Sequence, residues 1–171
     1  HPKQPVVTDP VLVATSGDDL VDRKALETIQ TKLLPLTTVL TPNLPEAEAL
    51  TGIAVTDEVS MKAAAAMLCN MGAKAVLVKG GHLQGEALDI LCDGKEYYRF
   101  STPRIPTRCT HGTGCTLSSA IAAYLALGKP LVEAVQLAKE YLQEAIRQGT
   151  PLGQGHGPTH HMHPFYRWDA Q

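Results

Sequence analysis

Short apolar runs alternate with segments of helical period through the first half of this chain, and that alternation narrows the fold more than any other feature. Residues 5–9, PVVTD, read as a short buried strand stopped by Pro10. From Asp22 to Leu34, the residues Leu26, Ile29, Leu33 and Leu34 recur at helical spacing, and Pro35 ends the run. TTVLTP gives a second strand over 37–41. NLPEAEALTG is a short helix closed by Gly52. A third helix is expected over 57–71, with Thr56 as its N-cap and Gly72 as its stop. AKAVLVKGG carries the clearest strand, 75–79. Strands separated by helices call for parallel pairing through helical crossovers, hence a layered α/β fold. A hairpin follows, EALDILCDGKEYYRFST, with Asp93-Gly94 as its turn. PRIPTR is an extended linker. A helix over 114–127 breaks at Gly128-Lys129-Pro130, an amphipathic helix covers 131–148, and the Gly-, Pro- and His-rich tail reads as irregular.

The length of 171 residues suits one domain with a real core. A net charge of −2 leaves no basic surplus to attract nucleic acid or an anionic membrane, so both are set aside as partners. No stretch approaches the length of a membrane span, and HPKQPVV reads as neither a signal nor a transit peptide. Cys69, Cys92, Cys109 and Cys115 form no CxxC pair and lie in unlike elements, which points to reduced thiols in a cytoplasmic setting. Cys69 and Cys92 read as core thiols.

In α/β folds ligands gather outside the carboxyl ends of the strands. Asp9, Asn43 with Glu46, and Lys79 fall there. Lys79 can reach a phosphate as a point charge, or be a solvated strand-end lysine. Asp9 suits metal or hydrogen-bonding duty, or a turn before Pro10. Asn43 and Glu46 form N-x-x-E, which fits a hydrated Mg²⁺ beside a triphosphate and equally fits a helix capping box. The segment THGTGCTLSSAIAA places Gly112 and Gly114 where a backbone turns tightly into a helix, an anion nest suited to phosphate. Cys115 sits in the first helical turn, where the dipole favours thiolate and a proton acceptor or covalent nucleophile is possible. No G-K-[ST] follows, so this is no Walker loop. His156, His160, His161 and His163 invite a metal reading that no accompanying Cys or acid cluster supports.

DPVLVATSGD, LTPNLPEAEALTG, VLVKGGH, THGTGCTLSSAIAA and GHGPTHH, in this order, together resemble the hydroxymethylpyrimidine/phosphomethylpyrimidine kinases of thiamine biosynthesis, members of the ribokinase-like superfamily. The likeness covers nearly the whole chain. It implies a ribokinase-like three-layer α/β/α fold with a mostly parallel sheet, and residues 1–171 forming a single kinase domain. It implies ATP and Mg²⁺ and two successive phosphoryl transfers, first to 4-amino-5-hydroxymethyl-2-methylpyrimidine and then to its monophosphate. By position, Gly112, Thr113, Gly114 and Cys115 become the anion hole and base, where most of the superfamily has Asp. Asn43 and Glu46 fall near Mg²⁺ and phosphate, Lys79 on the nucleotide side, and Asp9 and Val11 beside the substrate. The resemblance also suggests a homodimer.

The family begins with a strand and a glycine-rich segment resembling AGSDxSGGAG, which lies upstream of anything in this sequence. The chain therefore looks like the carboxyl-terminal part, the nucleotide-binding and catalytic half without the N-terminal strands and most of the pyrimidine pocket. Three alternatives follow. One is a pyridoxal kinase of the same superfamily, in which Cys115 would trap the substrate aldehyde. Another is a non-catalytic nucleotide-binding or assembly fragment. The third is a metal-binding module centred on the histidine tail.

Overall fold

The computed structural model describes residues 4–12, 22–81, 83 and 85–165. The expected loop VLVATSGDDL beyond Leu12, His82 of VLVKGGH and the end of the tail lie outside the described residues. The chain divides into two compact units, His1–Pro103 and Arg104–Gln171.

The first unit is a five-stranded sheet in the order β1-β2-β3-β4-β5, with helices between its parallel strands. β1 is Val7–Thr8, β2 Val39–Leu40, β3 Ala75–Gly80, β4 Ala87–Cys92 and β5 Tyr97–Thr102. β1 pairs parallel with β2, and β2 with β3, as alternation predicts. β3–β4 and β4–β5 are antiparallel. The sheet is therefore mixed rather than mostly parallel, because the short link after Gly80 and the Asp93-Gly94 turn leave no length for a crossover. Asp93 Oδ1 accepts the amides of Lys95 and Glu96, and Gly94 takes φ 89°. β1 and β2 are short because Pro10 and Pro42 follow them closely and cannot donate to a ladder.

The helices depart from expectation in detail. α1 covers Arg23–Thr28 and begins at Asp22, whose side chain accepts Ala25 N–H. The helical path then widens over Ile29–Leu33 and tightens over Leu34–Leu36, so Pro35 sits inside the final turn rather than ending the run before it. α2, Leu44–Thr51, closes on Gly52 at φ 75°, the left-handed stop a glycine provides. α3, Glu58–Asn70, is capped by Asp57 and not Thr56: Asp57 accepts Ser60 N–H, and Ser60 Oγ reaches back to the Asp57 amide. Leu40, Leu50, Met61, Leu68, Val76 and Ile90 are completely or almost completely buried in one apolar core, each contributing about 1.5–3 kcal/mol of burial.

The second unit is built on α4, Thr113–Ala126, and α5, Leu131–Arg147, which pack against each other. α5 buries Ala134, Val135, Ala138 and Ala145 together with Lys139, and turns Glu133, Glu140 and Arg147 outward. No helix among the described residues is long and apolar enough to cross a membrane.

Candidate active site

In the first unit, parallel pairing carries four of the expected residues to one end of the sheet. Thr41 N–H bonds Thr8 C=O just past β1 and β2. One residue further, Asn43 pairs with Lys79, and Lys79 N–H reaches Pro42 C=O at 2.8 Å. Across the strand ends Lys79 Nζ donates to Asp9 Oδ1 at 2.7 Å, with only 12% and 15% of the two side chains exposed. Thr41 Oγ1 donates towards the same Asp9 oxygen at 3.2 Å. Lys79 is thus a paired, largely covered cation rather than a solvated one.

Asn43 and Glu46 form the capping box of α2. Asn43 Oδ1 accepts Glu46 N–H at 2.9 Å, and Glu46 Oε2 accepts Asn43 N–H at 2.7 Å. The Asn43 amide oxygen is thereby engaged. Glu46 is 3% exposed, and its Oε1 accepts no hydrogen bond among the described residues. Of the two, Glu46 has the free carboxylate oxygen that a hydrated Mg²⁺ requires, and Asn43 fits as its positioner.

Val11 adopts φ 35°, the one left-handed non-glycine residue described. A β-branched side chain there costs on the order of 1–3 kcal/mol.

A residue that sequence reasoning passed over also shapes this end of the sheet. Asp89 of β4 is 6% exposed and opposes Lys79 in register. Its Oδ1 accepts the Gly80 amide at 3.0 Å. A side chain at Gly80 would meet Leu88 C=O at 2.2 Å, so β3 approaches β4 as only glycine permits. The signal was present as a lone acid inside the apolar run ALDILC.

In the second unit, Gly112 caps α4 with φ 80° and no side-chain cap, and a Cβ there would meet nothing within 4 Å. The amides of Thr113 and Gly114 follow in the first turn, where a helix start points its N–H groups along the axis. Thr116 Oγ1 and Ser118 Oγ return to the carbonyls of Gly112 and Gly114 at 2.7 and 3.0 Å, turning their hydroxyls inward. Cys115 is exposed. It opens on a cleft of about 790 Å³ along α4, walled also by His111, Ser119, Tyr124, Tyr141 and His161. A thiolate at such a helix start can accept a proton while the amide donors there receive an anion.

The four tail histidines belong to this unit, and no group of three His, Cys, Asp or Glu side chains among the described residues is arranged to hold a metal ion. All four cysteines are free. Burial, then the neighbouring Cys92, pushes the Cys69 thiol up to about 12.

A family model described as phosphomethylpyrimidine kinase matches residues 1–160. The chain is 54% identical over 158 residues to a bifunctional thiamine-biosynthesis protein of Geobacter sulfurreducens, covering 92% of this chain and 32% of that one. It is 50% identical over 157 residues to a hydroxymethylpyrimidine/phosphomethylpyrimidine kinase of Streptomyces coelicolor, covering 92% of this chain and 58% of the relative. Among solved structures, pyridoxal kinase from Staphylococcus aureus in complex with AMP-PCP superposes with a TM-score of 0.86 at 38% identity, over 92% of this chain and 58% of that chain. The α/β fold with its mixed sheet is thus shared with known vitamin kinases of the ribokinase-like kind, and this chain spans well under two thirds of the length of each of these three. On the match to residues 1–160 and the identity to these kinases, the chain belongs to the phosphomethylpyrimidine kinase family.

Proposed function

We propose that this chain carries the nucleotide-binding and catalytic part of an ATP-dependent kinase that phosphorylates 4-amino-5-hydroxymethyl-2-methylpyrimidine and then the resulting monophosphate. The observation that carries the reading is the exposed Cys115 thiol in the first turn of α4, behind the left-handed, sterically open Gly112. In the first transfer the substrate hydroxyl attacks the γ-phosphorus of ATP. Its proton passes to the Cys115 thiolate, and the bond to the departing ADP oxygen breaks. The amides of Gly112, Thr113 and Gly114 receive the charge that accumulates on the transferring oxygens. Lys79 supplies cationic charge on the nucleotide side, held by Asp9. Asp9 and Val11 border the acceptor. Glu46 would hold Mg²⁺ through its remaining oxygen, and the metal would neutralise phosphate charge.

On this reading residues 1–171 work as one kinase domain of three-layer α/β/α type, completed by the part of the relatives' length that lies beyond the match. A homodimer in the cytoplasm is the proposed setting, in keeping with four free thiols.

The test is incubation of this chain with Mg-ATP and hydroxymethylpyrimidine, alone and with the separately expressed remainder of the Streptomyces relative, following mono- and diphosphate products. Product lost in Cys115→Ala supports the kinase. Nucleotide binding without product in either mixture overturns it in favour of a non-catalytic nucleotide-binding fragment. The likeness to a pyridoxal kinase favours pyridoxal as the second reading, and faster turnover of pyridoxal than of the pyrimidine would select it.

A further inference from the structure

The motif GHGPTHH has no part in the chemistry proposed above, yet the structure ties it to the residues that lead into α4. Gly157 N–H donates to Arg108 C=O, and His111 N–H donates to Gly157 C=O, both at 3.0 Å. His111 and Pro158 form a parallel bridge. The Arg108 guanidinium spans the pair of segments, donating through Nη2 to the carbonyls of Gln154 and Gly155. Thr110 Oγ1 and His156 Nδ1 are hydrogen-bonded at 3.2 Å. Beneath them Cys109 is fully buried, and a Cβ on Gly157 would stand 3.1 Å from its sulfur. A Cβ on Gly149 would stand 2.6 Å from the Cys109 Cβ. The far end of the motif is fixed to α5, where His160 N–H bonds Ala145 C=O and Tyr141 Oη donates to His161 C=O, each at 2.8 Å.

Gly112 begins α4 without a side-chain cap, in a conformation with open space around it. Nothing in Gly112 itself selects one orientation of the amides that follow, since glycine is the most permissive residue. Thr116 N–H and Oγ1 hold the Gly112 carbonyl from the α4 side; on the other side the restraint comes from residues 108–111, each of which except Cys109 is hydrogen-bonded to residues 154–158, while Cys109 is packed against Gly149 and Gly157.

We propose that residues 154–158 are a strap that orients the Gly112, Thr113 and Gly114 amides for a phosphate, and that Arg108 is its principal positioning residue, acting through the backbone and touching no substrate. This rests on the reading that these amides receive phosphate. A guanidinium on two carbonyls is the strongest single link in the strap, being charge-assisted and geometrically fixed, and the His156 contact is a weaker one.

The experiment follows alkylation of Cys115 by iodoacetamide, read by peptide mass, against increasing inorganic phosphate at constant ionic strength. It compares the unaltered chain with Arg108→Ala, Arg108→Lys and His156→Ala, with the melting temperature of each. Phosphate should protect Cys115 in the unaltered chain. Arg108→Ala should raise the half-protecting concentration about tenfold, as loss of a charge-assisted bond implies. Arg108→Lys should recover most of that, and His156→Ala should cost roughly twofold to fivefold. A lowered melting temperature with an unchanged half-protecting concentration makes the strap purely structural and overturns the proposal. Should Arg108→Ala not fold, the Arg108→Lys and His156→Ala values decide: both unchanged overturns it. Absence of protection in the unaltered chain overturns the phosphate reading itself, and the strap proposal with it.

Discussion

The strand ends of the first unit and the helix entry of the second solve opposite electrostatic problems. At the strand ends the polar groups are paired with one another: Lys79 with Asp9, Asn43 with Glu46, and the Gly80 amide with Asp89. At the entry to α4 the donors are backbone amides with no side-chain cap, beside an exposed thiol. A closed arrangement holds its geometry without a ligand, whereas an open one gains hydrogen bonds only when an anion arrives. On the proposed function, the first positions and the second reacts.

The sharpest way to break this comparison is at the thiol. Cys115→Ala should slow transfer to the hydroxymethyl group by about 10²–10⁴-fold. Transfer to the monophosphate should fall much less, because a phosphate nucleophile is already ionised. Single-turnover rates on the two substrates measure this, and equal losses would make Cys115 a positioning group.

The closed side is tested next by unfolding in urea. Lys79→Met should cost about 3–5 kcal/mol, since it strands the covered Asp9 carboxylate, while Lys79→Met with Asp9→Leu should recover most of that. A single-mutant cost below about 1 kcal/mol would mean that the pair behaves as an exposed one and the contrast is lost. Two glycines sharpen the same point by different physics. Gly80→Ala should cost about 1–3 kcal/mol through collision with Leu88 C=O. Gly112→Ala should cost about 1–2 kcal/mol through its left-handed backbone alone. Relaxation by a shift of β4 would show as an unusually low Gly80→Ala value.

The smallest effect is a selectivity. At pH 9 iodoacetamide should label Cys115 and spare Cys69, whose thiol is pushed up to about 12 by burial and by Cys92. The folded value is raised, so the associated stability is fully present below the ordinary 9.0 and is lost as pH climbs towards about 12. Peptide mapping after labelling checks the first statement and alkaline melting curves the second. Equal labelling of both thiols in the folded chain would contradict the burial assigned to Cys69.

How much of this was legible in the sequence follows from the range of the interactions. The capping box of Asn43 and Glu46, the Gly52 stop and the Asp93-Gly94 turn are set within a few residues, and local chemistry announces them. Even there, Thr56 and Asp57 compete for one cap, and Ser60 decides for Asp57 by closing the box. The pairing of Asp9 with Lys79 spans seventy positions, and the sequence could place both only at strand ends. Residues 154–158 carry no periodicity at all, so they read as loose tail. Their order comes from carbonyls and amides offered to a segment more than forty positions away.

One feature of the sheet bears on how the molecule comes to be. The strands lie side by side in the order in which they occur along the chain. Every pairing therefore closes the shortest loop available to it, and no strand has to wait for a later one to be inserted between neighbours. The β4–β5 ribbon, joined by its tight turn, can form in about 1–10 μs. β3 then adds to it across the next short link, while Val39 and Val7 must each be brought in over a whole helical segment. Among these five strands assembly should run backwards along the sequence, so that β1 is the last to dock. Asp9 would then meet Lys79 only in the closing step, and the charged end of the sheet would be completed together with the fold.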